Sequence, residues 1–315
     1  GRPGTGLSRT GLSSTGLSST GRKMIWALLE VLAPVVLTAG LGFTWTRVGA
    51  GFDTDMVTRL VLWLGAPCLI FESLTRYDLP LLLLAEQAAA AIAVCALVGA
   101  TAWALAWGAG WPLASFVPPV LFPNAGNLGL PLALFAFGDE ALGLAVPYFA
   151  VTSMLQHTLG QRIAAGRGRG WRALLTPNVF AIGAAVLVVA SDVTVPRFLG
   201  NTIALVGDLT IPLMLLALGV SLGSLQVRRL GTSLRIAVLR LVLGLAAGLA
   251  VAWLFGLEGS ARSVLILLSA MPVAVFTYLF AARYGRDSDL VAGAVVLSTL
   301  ISFATLPLLL WYLLP

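Results

Sequence analysis

The sequence predicts an all-α membrane protein: ten transmembrane helices forming two inverted five-helix repeats, with helices four and nine broken where they cross. Three observations predict it. The 315 residues are 59% hydrophobic and 10% charged, where a soluble domain carries about 25% charged residues. Most of the chain divides into runs of about 20 apolar residues, the length a helix needs to cross a hydrocarbon core about 30 Å thick. Landmarks of the first half return in the second at a nearly constant offset, as two repeats of opposite orientation would require. The surroundings are therefore a lipid bilayer, and a soluble enzyme is excluded. The net charge of +6 falls in short loops, so it reads as topology and not as nucleic-acid affinity.

Residues 1–23 repeat Thr-Gly-Leu-Ser three times and are too polar and Gly-rich to fold or span, so they read as a disordered extension. Met24 opens the first apolar run and is the expected natural start; a cleaved signal peptide is disfavoured by Pro34 and by the many spans that follow. Spans are expected at 24–46, 55–75, 79–107, 113–137, 141–163, 177–195, 198–224, 232–256, 261–284 and 288–314. The first repeat is 24–163, a basic linker occupies 164–176, and the second repeat is 177–315. Sorted by loop, Arg47, Arg59, Arg162, Arg167, Arg169, Arg172, Arg228, Arg229, Arg235, Arg240, Arg283 and Arg286 fall on one side. Arg76, Arg197 and Arg262 fall on the other. The positive-inside rule then puts the linker in the cytoplasm and both termini outside the cell membrane. Arg22 and Lys23 oppose this, a conflict that vanishes if the chain starts at Met24.

The repeat shows in three landmarks. Pro67 of span two pairs with Pro212 of span seven, Pro123 with Pro272, and Gly138-Asp139 with Gly285-Arg286, all about 145 to 149 residues apart. Span four reads Phe122-Pro123-Asn124-Ala125-Gly126-Asn127-Leu128-Gly129-Leu130-Pro131, which cannot be a plain helix. Its prolines lack N–H donors, its glycines resist helix, and two Asn amides lie near bilayer mid-depth, where an unsatisfied polar group costs several kcal/mol. Such backbone persists only where it lines a cavity. The start of the second half-helix is a positive dipole end, and with Asn124 and Asn127 it suits a carboxylate. Span nine breaks at Met271-Pro272-Val273, and the two breaks should meet at the centre. The plain alternative is a pair of proline kinks filled by side chains and water.

At these residues the chain from Met24 to Pro315 resembles the auxin efflux carrier family. The resemblance rests on Pro123 to Pro131 with Phe137-Gly138, and on Met271-Pro272 with Tyr284-Gly285 and Leu297-Ser298-Thr299-Leu300. It implies a scaffold domain and a transport domain, crossing broken helices four and nine, and transport of small organic anions: auxin in plants, dicarboxylates such as malate or malonate in some bacterial relatives. The family's substrate-contacting Asn carries over to Asn124 or Asn127, with Pro123, Gly126, Met271 and Pro272 around it. Val273 stands where an Asn would mirror Asn124, so Thr277 and backbone groups are the remaining polar candidates there. Family relatives are often dimers, so a homodimer is an open alternative.

Coupling needs an ionisable group or a sodium site. Glu72, Asp208 and His157 lie within apolar runs and are the candidates for binding a proton or sodium, an ionisable residue there being expensive unless it faces a cavity or a partner. Glu72 can instead pair with Arg76 at i+4. Glu30 and Glu86 read as packing or helix-end residues. Cys68 and Cys95 have no acid or His cluster of metal-ligand spacing beside them, so no metal site is expected. No cofactor is expected either, since no Gly-rich, Lys-containing phosphate loop occurs. Asp53-Thr54-Asp55 lacks the second acidic cluster of a metal-diphosphate site, Gly244 and Gly248 suit helix packing within the monomer, and the nine Trp residues read as interfacial belts. The reading is a secondary transporter of small organic anions working by alternating access, driven by protons or membrane potential. The alternatives are a sodium-coupled carrier like those of bile acids, a cation antiporter, or an anion receptor that does not transport.

Overall fold

A computed structural model describes residues 19–49, 51–76, 79–166, 177–191 and 193–314, with side chains from 26 onward. The basic linker's 167–176 and the extension's 1–18 lie outside these residues. Among the described residues the chain is all-α. We number the helices α1 (Ser19–Arg47), α2 (Thr54–Arg76), α3 (Leu81–Gly108), α4 (Leu113–Leu121) and α5 (Ala125–Phe137). Helix α6 covers 139–165, through Asp139–Leu155, a wide turn at Gln156–Gly160 and Gln161–Ala165. Then come α7 (Pro177–Ala190), α8 (Arg197–Ser224), α9 (Leu230–Leu254), α10 (Gly259–Ser269), α11 (Val275–Arg283) and α12 (Ser288–Leu313). Six segments, Trp26–Arg47, α2, α3, α8, α9 and α12, are long and apolar enough to cross a bilayer.

Local chemistry sets these boundaries. The Asp53 carboxylate accepts the Met56 N–H at 2.8 Å, which makes Asp53 the N-cap of α2 and Thr54-Asp55 its first turn. Asp287 caps α12 in the same way through Leu290 N–H. Pro67 and Pro131 each follow a π-type turn, at Val61–Gly65 and Ala125–Gly129, where a wider ring absorbs the missing N–H. Gly138 and Gly285 have φ of +84° and +61°. That paired landmark is a left-handed link from the end of each broken span into the next helix, a conformation that costs Gly nothing.

Packing sorts the helices into two groups. One contains α1, α2, α7 and α8; the other contains α3 to α6 and α9 to α12. The contacts are reciprocal. Helix α1 packs on α8 as α7 packs on α2, α3 on α6 as α9 on α12, α3 on α4 as α9 on α10, and α10 on α6 as α4 on α12. Helices α1 and α8 approach backbone to backbone: a Cβ on Gly219 would overlap the Ala39 carbonyl, and one on Gly42 the Leu216 carbonyl. Small residues are what allow that distance. Gly244 and Gly248 of α9 do the same against α10 at Ser269 and Ile266. Of the described tryptophans, Trp26, Trp45, Trp63, Trp103, Trp107, Trp253 and Trp311 are exposed at the protein surface.

Gly219→Val should force α1 from α8 and lower stability by about 1–3 kcal/mol, the usual cost of overpacking. Thermal unfolding in detergent, with Gly183→Val in open space as control, checks it.

Candidate functional site

The structural centre is where α4–α5 and α10–α11 break. Phe122-Pro123-Asn124 and Pro272-Val273-Ala274 lie antiparallel as an isolated β-bridge between Pro123 and Val273. Asn124 N–H donates to the Pro272 carbonyl at 2.7 Å, and Ala274 N–H donates to the Phe122 carbonyl at 3.1 Å. Each break thus supplies the partner that the other's backbone lost. Val273 N–H donates to Ser298 Oγ at 3.0 Å, and that hydroxyl donates to the Val295 carbonyl. The segments are buried, with Phe122, Met271 and Val273 fully so.

Beside the bridge lies a cavity between the two helix groups. Its lining includes Pro123, Asn124, Gly126 and Asn127 from the break, a polar face of α6, Met214 and Ser221 from α8, and the first turns of α2. At about 50 Å3 it holds about three to five waters, at roughly 10–15 Å3 each. Two buried amides face it without a hydrogen-bond partner: Asn124 Nδ2 and Gln156 Nε2. Buried polar groups are normally paired, so two orphaned donors in one cavity mark the place of an acceptor. His157 completes this wall. Its Nδ1 lies 2.8 Å from the Ser153 carbonyl and, since a carbonyl only accepts, carries the proton. The ring meets Phe276 and Phe280 edge-on, with centroids 5.3 and 5.8 Å away.

The other predicted residues are placed differently. Met271, Pro272, Val273 and Thr277 build and satisfy the second break, Thr277 Oγ1 donating to the Ala274 carbonyl at 2.7 Å; on that side Ala274, Val275, Phe276 and Leu279 line the cavity instead. Glu72 and Asp208 share a second cavity of about 240 Å3 at the opposite ends of α2, α6 and α8, with Asp139 and Arg76. Glu72 Oε1 accepts from Arg76 Nη1 at 2.9 Å, the i+4 pairing anticipated above, and Asp208 is exposed. Glu30 and Glu86 are exposed too. The two free cysteines are half-buried Cys68 and buried Cys95.

Two groups escaped the sequence reading. Gln156, with Thr152 and Ser153, was legible as a polar face spaced i, i+1, i+4 beside His157 in the fifth span. Arg240 requires a correction. It was sorted with the loop arginines, but it is 1% exposed in the middle of α9 and binds backbone carbonyls of the crossing. The apolar run on either side of it was the signal.

An apolar all-α chain wound about a paired helix break, with a cavity of unpartnered donors beside it, suits a membrane transport protein. The comparisons with known proteins give the same class. Residues 169–312 match the family described as membrane transport protein. The chain is 26% identical to an uncharacterized transporter of Methanothermobacter thermautotrophicus over 298 residues, 89% of this chain and 96% of that protein. It is 29% identical over 203 residues to an uncharacterized transporter of Methanocaldococcus jannaschii, 61% of this chain and 65% of that one. It is also 28% identical over 143 residues to a protein of Oryza sativa subsp. japonica named probable auxin efflux carrier component 5b, covering 43% of this chain and 38% of that protein. These matches bear out the resemblance to the auxin efflux carriers and indicate a membrane transporter, not an enzyme.

Ser298→Ala should leave the Val273 N–H buried without a partner, at a cost of about 1–3 kcal/mol. Thermal unfolding reads this, with Ser298→Thr, which keeps the hydroxyl, retaining most of the stability.

Proposed function

We propose that the protein is a secondary transporter of small organic anions, with the carboxylate seated in the cavity beside the bridge. The observation that carries this reading is the pair of unpartnered donors, Asn124 Nδ2 and Gln156 Nε2, in a cavity with no carboxylate among its described lining residues. An anion gains two hydrogen bonds there and faces the starts of α5 and α11, where helix dipoles are positive. A cation would find no carboxylate to neutralise it among the described lining residues. Asn127, Gly126 and Pro123 complete the contact wall, and the second break contributes through Ala274 and Val275.

The reciprocal packing supports ten crossings in two inverted repeats, with α1, α2, α7 and α8 as scaffold and the remaining helices as the moving unit. With the linker at 164–176 in the cytoplasm, as its arginines suggest, the donor cavity opens inward and the acidic one outward. An anion released on the outer side would leave past Glu72, Asp139 and Asp208, which repel it and disfavour return. Glu72 and Asp208 are the proposed sites of proton or sodium coupling, and His157, at the donor cavity, the third candidate.

The test is uptake of labelled mono- and dicarboxylates, auxin included, into proteoliposomes under proton or sodium gradients. Asn124→Ala and Gln156→Leu should each lower kcat/KM by about tenfold or more, the loss expected when a donor to a charged group goes. Asn127→Ala should lower it less. Glu72→Gln should weaken the dependence on the imposed gradient while leaving carboxylate affinity largely intact. Flux of cations alone would overturn the anion reading. An anion that stabilises the protein against heat but never crosses would make it a receptor.

A further inference from the structure

Arg240 is the least expected group in the molecule: a guanidinium 1% exposed within an apolar helix. An unpaired buried charge costs several kcal/mol, so it must have a counter-charge. Its hydrogen-bond partners are carbonyls. Nη1 donates to the carbonyls of Val120 and Leu121, both at 2.8 Å, and Nη2 donates to that of Ser269. These are the last carbonyls of α4 (Leu113–Leu121) and of α10 (Gly259–Ser269). Each helix C-terminus carries roughly half a negative charge on carbonyls without a helical partner. Two such ends brought together amount to about one negative charge, which one guanidinium cancels. Gly244, one turn along α9, makes the space: a Cβ there would overlap Arg240 Nη2 and the Ser269 carbonyl.

The crossing therefore brings four half-helix ends together. The two negative ends are covered by Arg240, and the two positive ends, where α5 and α11 begin, are left to the cavity side. We propose that Arg240 is the positioning residue that sets the sign of the crossing: it clamps the C-termini of α4 and α10 into one unit and cancels their charge, so that the field at the cavity is that of the two N-termini and selects an anion. The transport arm of the test rests on the anion reading above. The clamp itself does not.

The experiment compares wild type, Arg240→Lys and Arg240→Gln of the full chain in proteoliposomes. Lys keeps the charge; Gln keeps two N–H donors without it. Hydrogen–deuterium exchange at the bridge amides of Asn124 and Ala274 should speed up about tenfold or more in the Gln variant, as expected when a charged hydrogen-bond donor is lost. In the Lys variant it should stay within about threefold of wild type. The KM for the transported carboxylate should rise by a similar factor in Gln with a smaller change in kcat, and stay near wild type in Lys. A Gln variant indistinguishable from wild type, or a Lys variant as damaged as Gln, overturns the proposal. If neither variant folds, Gly244→Ala, whose Cβ would displace the Arg240 guanidinium, decides: faster exchange at the bridge amides upholds the clamp, and exchange equal to wild type overturns it. If wild type carries no carboxylate, the anion reading falls while the exchange data still judge the clamp.

Discussion

Two backbone hydrogen bonds organise this molecule. In a bilayer interior no water is at hand for a stray N–H or C=O, so a helix can be broken only if another part of the protein takes up the groups set free. Here the part that does so is a second broken helix. Asn124 N–H meets the Pro272 carbonyl and Ala274 N–H meets that of Phe122, while the prolines at 123 and 272 have no N–H to satisfy. Neither break is tenable alone, which is the physical reason for both to occur in one chain with prolines in matching places.

Electrostatics follows from that geometry. Breaking two helices at one depth and joining them antiparallel brings two N-terminal and two C-terminal ends together, separated by the thickness of the bridge. Arg240 lies on the carbonyl ends. The amide donors of Asn124 and Gln156 lie in the cavity beside the other pair. Carboxylates are kept away, since Glu72, Asp139 and Asp208 line the second cavity. Charges of each sign are thus partitioned with few ionisable groups, as a low-dielectric interior demands.

Much of this was legible in the sequence, and the rest was hidden for definable reasons. Pro123, Asn124, Gly126 and Pro131 announced a break because they violate helix chemistry where length demands a helix. The Gly138 and Gly285 pair announced a repeat because both need a left-handed backbone. The polar site was less legible. Thr277 looked like a substrate ligand because it is the polar residue nearest the second break, yet its hydroxyl is consumed by the Ala274 carbonyl, as hydroxyls within reach of their own backbone usually are. Arg240 was misplaced for the opposite reason. Loop arginines and buried ones look alike in composition, and the dipole ends that stabilise it come from α4 and α10, whose carbonyls carry no side-chain signature at all.

The bridge also restricts how the proposed change of access can occur. Pulling Pro123 from Val273 would strand two N–H groups and two carbonyls in an apolar interior, and would uncover the Arg240 partners next to them. The half-helices must therefore travel with their bridge as one body. What is free to change is the boundary between the two helix groups, where Gly126 faces Met214 and where both cavities lie. Contacts there are between side chains, individually weak and replaceable by neighbours one turn along. A rigid crossing sliding against that boundary would expose the donor cavity to one side and then the other without breaking a backbone hydrogen bond, so the broken segments move as a body and do not themselves flex.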